Sequence, residues 1–378
     1  MLRAETIHPA QLAPVDADAW RAFCAAEPAF ASPLLGPDFA QAVAEVRDDA
    51  RVAIWRQDGR ATGFLPHHRR PGGLARAIGA PLSDYHALVG ERGLAAGPAL
   101  AAADLNAFRF SGLVDPFDAF AGCVAARREA FVVNLDGSAE AYLEALRVAS
   151  PKRFKNYRRL DHKLDREVGP LRIVAPDPSR EAFDRLLAWK SDQLFRTGAN
   201  DFLRPAWTRD LLSNLFARDQ GEFRGLMISL YAGDRLVAGH FGVRLGGVYH
   251  PWIASLDPEL AAWSPGQLFI PRAIAAMPGL GLATYDLGPG HDHYKRPFAL
   301  DSRDLGEGFA TAESAGGRAV QASDGAWALV GAGRGGPMYR IRSRLDAIAT
   351  VELSVSGRAI GFAAAVAGKA RRASVEAE

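Results

Sequence analysis

Two cysteines in 378 residues, Cys24 and Cys123, are too few for a disulfide scaffold and have no metal-site spacing, so both read as reduced core thiols. Long apolar runs are missing as well. No stretch approaches the ~20 residues that span a bilayer, residues 359–368 being the nearest and too short. The opening MLRAETIHPAQLAPVDADAW lacks the continuous apolar core of a signal peptide, so a cytoplasmic protein is expected. Charge of one sign is also absent: 45 Lys and Arg against 43 Asp and Glu leave +2. No global field therefore draws the chain to DNA or a membrane, and any such effect must be local. What is present is a globular composition, 48% hydrophobic and 23% charged, in a chain long enough for two domains.

The most legible stretch lies between residues 225 and 298. Three short apolar runs, 225–231, 236–244 and 248–254, are separated by Ala-Gly-Asp-Arg and Leu-Gly-Gly, which predict tight antiparallel hairpins. Ser264 is the expected N-cap and Pro265 the first residue of a helix carrying Leu268, Phe269, Ile270, Ile274 and Met277. A further strand over 282–287 ends in Gly-Pro-Gly, and a polar loop, His291 to Phe298, follows it. The spacing thus predicts three antiparallel strands, a helix, a strand and a loop.

That order resembles the acyl-CoA-binding half of the GNAT acyltransferase fold. L-x-A-G-H-F at 236–241, W-x-A-x-x-D-P at 252–258, S-P-G at 264–266 and Y-D-L-G-P-G-x-x-x-Y-K-R-x-F at 285–298 are similar to the CelD-type acetyltransferases of bacterial exopolysaccharide operons. The resemblance covers most of residues 30 to 300. It implies an α/β fold with mixed sheets, built as tandem GNAT-like domains in the manner of the Fem aminoacyl transferases. The expected divisions are a degenerate first domain over 1–149, an acyltransferase domain over 150–305, and a Gly/Ala-rich segment with a basic tail over 306–378.

In the first half, helices are expected at 16–26 and 37–46, a hairpin at 51–67 turning on Asp58-Gly59, helices at 94–108 and 116–127, and strands at 110–114 and 131–135. The polar loop 79–86 recurs in the family near the interface of the two halves, which makes Tyr85 and His86 candidates to face the acceptor. The second half opens with an amphipathic helix from Pro151. Phe154, Tyr157, Leu160 and Leu164 form its apolar stripe and Lys152, Lys155, Arg159, Lys163 and Arg166 its cationic one. Arg153, Lys155, Asn156 and Arg159 are candidates to hold phosphates of the donor or of a lipid-linked acceptor, set against a merely solvated face. The tail carries Arg340, Arg342 and Arg344. These suit either a solvated helix face or a dock for a regulatory cyclic dinucleotide or an anionic membrane surface.

Acyl transfer from a thioester needs a phosphate cradle, a polarised carbonyl and two proton movements. Backbone N–H groups of Gly266, Gln267 and Leu268, together with Ser264 and Pro265, are the expected cradle at the helix start. The resemblance places the carbonyl-polarising amide near Trp252 to Ser255, and Lys295 or Arg296 is the candidate to neutralise the donor phosphates. His240, with a free pKa of ~6.5, is the first candidate base. Asp286 is either a partner to it or a cap on the Gly-Pro-Gly loop, and Tyr294 is the expected proton donor to the thiolate. His291 and His293 lack a third ligand, so no metal is expected.

The function implied is transfer of an acetyl group from acetyl-CoA to an amino sugar or sugar-linked precursor of an extracellular polysaccharide. Two alternatives stand beside it: a sensor of an anionic nucleotide of the cyclic di-GMP type, and Fem-like transfer from aminoacyl-tRNA.

Overall fold

In the computed structural model the described residues are 3–290, 292–332, 336, 338–352 and 356–363. His291, Arg334 and the tail from residue 364 lie outside them, as do the side chains of Asp292, His293 and Arg340. Two compact units emerge. Unit 1 joins Met1–Arg128, Leu194–Leu211 and Leu305–Glu378, and unit 2 joins Glu129–Gln193 and Leu212–Asp304.

Unit 1 is a mixed sheet with strands β1 (Arg3–Ile7), β2 (Ala50–Gln57), β3 (Arg60–Arg70), β4 (Leu74–Ala77), β5 (Val89–Gly90) and β6 (Ala107–Leu113). Its helices are α1 (Pro14–Ala26), α2 (Pro37–Ala44) and α3 (Ala96–Ala102). β2 and β3 form the hairpin read from Asp58-Gly59, with Gln57 opposite Arg60 and φ near 52° at Asp58 and 81° at Gly59. β4 and β6 run parallel, Arg76 opposite Arg109. Trp55, Phe108, Phe110 and Phe120 sit in the core of this unit.

Unit 2 takes most of β7 (Val124–Asn134), then α4 (Ala139–Ala149), α5 (Pro151–Glu167), β8 (Leu171–Val174), most of α6 (Arg180–Thr197) and the second half of α7 (Ala206–Ala217). After these come β9 (Arg224–Ala232), β10 (Arg235–Leu245), β11 (Val248–Leu256), α8 (Pro265–Ala276), β12 (Thr284–Pro289) and the short α9 (Asp292–Lys295). Its strand order is β7-β12-β11-β10-β9-β8. β8 to β11 are antiparallel, and β12 joins β11 in parallel. One face of the sheet packs α8 through Phe269, Ile270 and Ile274 with Tyr249 and Tyr285. The other packs Phe241 against Phe183 of α6 at 4.9 Å and Phe216 of α7 at 5.9 Å. α5 buries Tyr157, Leu160 and Leu164 and exposes its cationic side, as its periodicity predicts.

Three sequence expectations change. The helix expected over 116–127 is a turn leading into β7. Asp115 holds the amides of Ala119 and Phe120 at 2.9 and 2.8 Å, and positive φ at Asp118 and Gly122 stops any helix there. The expected helix over 94–108 shrinks to the seven residues of α3 and gives way to β6. Described residues of the 306–378 segment, expected as a separate Gly/Ala-rich stretch and tail, pair with unit 1. β13 (Asp301–Thr311) pairs antiparallel with β6 in unit 1, and α10 (Ala315–Trp327) and α11 (Tyr339–Val351) follow. Arg76 grips Asp346 and Thr350, and Trp207 donates to Val351 O at 3.0 Å, so α11 is part of unit 1. Among the described residues no helix is long and apolar enough to cross a membrane.

Candidate active site

Among the described residues β11 and β12 share two register pairs, Val248 with Thr284 and Tyr249 with Tyr285. Beyond them the ladder stops. A bulge adds to the distortion: Phe241 faces Ile253 while Gly242 faces Pro251, which leaves Trp252 as the extra residue on β11. The chain then turns through Asp257–Trp263, and Ser264 takes a left-handed conformation, φ 52° and ψ 49°, to launch α8.

On the α8 side of this opening three polar side chains meet. His240 on β10 is buried, its ring 4.4 Å from that of Phe269. Its Nδ1 is 2.5 Å from the Tyr285 hydroxyl on β12, and its Nε2 is 3.4 Å from the Tyr294 hydroxyl on α9. Tyr294 also lies 3.4 Å from the carbonyl of Gly266. Gly266 keeps this corner open, because a Cβ there would stand 3.3 Å from the Tyr294 oxygen.

Burial, then the charges of Lys295 and Lys190, push His240 down to about 3, so the ring is neutral at ordinary pH. This corrects the expectation of a base poised near its free value. Burial raises both Tyr285 and Tyr294, which keeps them protonated. Lys190 on α6 is itself lowered, by burial first and Lys295 second. It was missed in the sequence because α6 reads as a core helix; a single Lys between Trp189 and Leu194 was the available signal.

The other expected residues are placed as follows. Ser264 occupies the N-cap position but makes no side-chain cap bond. The amides of Gln267 and Leu268 both bond Ser264 O, at 2.9 and 3.4 Å, so they do not point outward as a cradle. Pro265, Gly266 and Leu268 are buried. Lys295 Nζ donates to Pro289 O at 2.8 Å, and Arg296 pairs with Glu129. Asp286 lies on the face opposite Tyr285, where it accepts from Gly288 N–H at 2.9 Å and lies 3.6 Å from His250 Nδ1. It thus caps its loop and is not brought to His240. Arg153 and Arg296 line one cleft of about 410 Å³. Lys155 is exposed, and Asn156 accepts from Arg159 at 3.0 Å on the same helix face.

In unit 1, Tyr85 is a core residue, 1% exposed. His86 lines a separate cavity, its Nδ1 3.4 Å from Ser83 Oγ. Arg342 pairs with Asp324, and Arg344 donates to Gly198 O at 3.2 Å.

Residues 151–296 match the family described as Acetyltransferase (GNAT) domain. The class of protein defined by this match and by the α/β fold is an acyltransferase. Among solved structures the chain is similar to a tandem GNAT protein from the clavulanic acid biosynthesis pathway, with 12% identity over 83% of this chain and 100% of that one, TM-score 0.48. The C-terminal domain (DUF2156) of a putative lysylphosphatidylglycerol synthetase from Agrobacterium fabrum shows 14% identity over 75% and 91%, TM-score 0.45. A GCN5-related N-acetyltransferase from Sphaerobacter thermophilus shows 12% identity over 82% and 95%, TM-score 0.44. No curated protein sequence matches the chain.

Proposed function

We propose that the protein is a cytoplasmic N-acetyltransferase that moves an acetyl group from acetyl-CoA to an amino sugar or sugar-linked precursor of an extracellular polysaccharide. The observation that carries this reading is the relay Tyr285–His240–Tyr294 beside the β11–β12 opening. The donor thioester fits at the Gly266 corner, where the absent side chain leaves backbone beside the Tyr294 hydroxyl. The polysaccharide acceptor rests on the resemblance of the 236–298 motifs alone.

In this reading the acceptor amine, deprotonated before it attacks, adds its lone pair to the thioester carbonyl carbon. The C–S bond breaks, and the leaving thiolate takes the proton of Tyr294. The amine's extra proton passes to solvent, and a proton returns from solvent to Tyr294, which restores its hydroxyl for the next turnover. A neutral imidazole has one donor and one acceptor nitrogen. Tyr285, held protonated, donates to Nδ1 and so fixes the N–H on Nε2, which faces the Tyr294 oxygen. As Tyr294 gives up its proton, that N–H steadies the developing phenolate. His240 is therefore a positioning residue and Tyr294 the catalytic acid.

Calorimetry with acetyl-CoA, followed by an acceptor screen of glucosamine and related amino sugars, tests the reading. Saturable donor binding and amine-dependent release of CoA are expected. A protein that binds no acetyl-CoA, or releases CoA at the same rate whatever the amine, contradicts it.

A further inference from the structure

Resting on the amino-sugar reading above, we propose that unit 1 has its own carbohydrate-binding cavity, which holds a glucosamine oligomer.

The cavity measures about 900 Å³ and all its walls belong to unit 1. That lies within the ~300–1,000 Å³ range typical of ligand sites. Its floor is a cross-strand row: Arg76 on β4 is opposite Arg109 on β6, which is opposite Phe309 on β13. The Arg109 guanidinium lies 5.0 Å from the Phe309 ring centre. Two like charges directly opposite on a sheet repel, so the row needs partners. They come from the C-terminal helices: Asp346 of α11 takes Arg76, and Asp324 of α10 takes both Arg109 and Arg342. One face of α11, with Arg342, Ser343, Asp346 and Thr350, closes the cavity as a wall.

The charge pattern decides the ligand class. Four arginines line the space, Arg76, Arg109, Arg128 and Arg342, and four carboxylates answer them, Asp84, Glu307, Asp324 and Asp346. A phosphate site would hold a surplus of guanidinium groups. A balanced set of planar donors and acceptors instead suits vicinal hydroxyls, and its carboxylates suit the ammonium groups of a deacetylated amino sugar. Ser83, Ser111, Asn200 and Gln321 add further hydroxyl and amide partners, and Phe202, Phe309 and Tyr339 supply faces for the C–H side of a sugar ring. Burial holds His86, another lining residue, neutral, so it too presents one donor and one acceptor.

The test uses the full chain, with the β-1,4-linked glucosamine trimer and its fully N-acetylated counterpart as probes in calorimetry. Two variants accompany it. Arg109→Gln removes a floor guanidinium, and Ser343→Trp fills the space from an exposed helix position without breaking an ion pair. The proposal predicts that the glucosamine trimer binds and that each variant weakens it by about tenfold or more, with acetyl-CoA affinity and thermal midpoint unchanged in Ser343→Trp. Absence of trimer binding in the parent protein, or equal binding in Ser343→Trp, overturns it. Acetylation of the trimer with a KM that neither variant moves also overturns the cavity, while leaving acetyl transfer standing. Variant-sensitive binding without acetylation of any amino sugar supports the cavity and removes the function proposed for unit 2.

Discussion

The two units treat the same structural problem in opposite ways. Each has a parallel strand pair with a helix between the strands in sequence: β4, α3, β6 in unit 1 and β11, α8, β12 in unit 2. In unit 1 the backbone edge of β6 beyond the paired residues is taken up by the chain itself. The 83–86 loop lies against β6, with His86 N–H bonded to Gly112 O and Val114 N–H to His86 O, both at 2.8 Å. In unit 2, among the described residues, no register pair joins β11 to β12 past Tyr249 and Tyr285, and the Tyr294–His240 relay stands beside that opening. A sheet edge closed by its own loop satisfies its backbone internally, whereas an opened one leaves room for a substrate to do so. The difference is consistent with the reading proposed above, in which unit 2 takes the acyl donor.

The sharpest way to break the comparison is to force unit 1 open. A Cβ on Gly112 would stand 1.8 Å from Asp84 O, so Gly112→Ala must push the loop off β6. We expect a loss of about 1–3 kcal/mol, in the range of overpacked sites, read as a lower thermal midpoint, with acetyl-CoA affinity kept. His240→Gln attacks the open side. It leaves the fold and donor binding but removes the ring between two tyrosines, and kcat should fall about 10²-fold, the lower end of a general acid's worth. Tyr285→Phe, one link further out, should cost less than His240→Gln, since Tyr294 keeps its proton and loses only tautomer control.

The pH dependence sharpens the same contrast. His67, His68 and His86 in unit 1 are held at about 4 and His240 in unit 2 at about 3, burial being the first cause in each. His68 illustrates the linkage, since its Nε2 accepts from Gly79 N–H at 2.9 Å, a bond that protonation removes. All four folded values lie below the free ~6.5. The unfolded chain therefore binds more protons as pH falls, and stability present above pH ~6.5 is lost progressively toward pH 4. Thermal midpoints at pH 7 and 5 check this, with a lower value expected at 5. Turnover should instead follow ionisation of the acceptor amine and show no inflection near 6.5.

The sequence made unit 2 legible because its signals are local. The hairpin separators around Asp234 and Gly246, the Ser264-Pro265 helix start and the alternation that sets His240 against Phe241 each concern neighbours in the chain. What it hid depends on partners far away. The role of Asp286 turns on which face the register gives it, and the neutrality of His240 turns on burial beneath Phe269 and on Lys190, fifty residues upstream. The segment from residue 301 was misread for the same reason. Residues 301–311 look like a weak Gly-rich stretch, yet they form a strand because β6 supplies the pairing partner, and α11 is anchored by arginines far upstream, including Arg76.

The central claim is that Tyr294 supplies the proton to the departing thiolate, and one substitution tests it most directly. Tyr294→Phe keeps the ring and the Gly266 contact but lacks the hydroxyl. Measured together, its acetyl-CoA Kd and its kcat with the best amino-sugar acceptor should separate: affinity within about twofold of the parent and kcat lower by about 10²–10⁴-fold. A Tyr294→Phe protein that turns over at the parent rate would contradict the account.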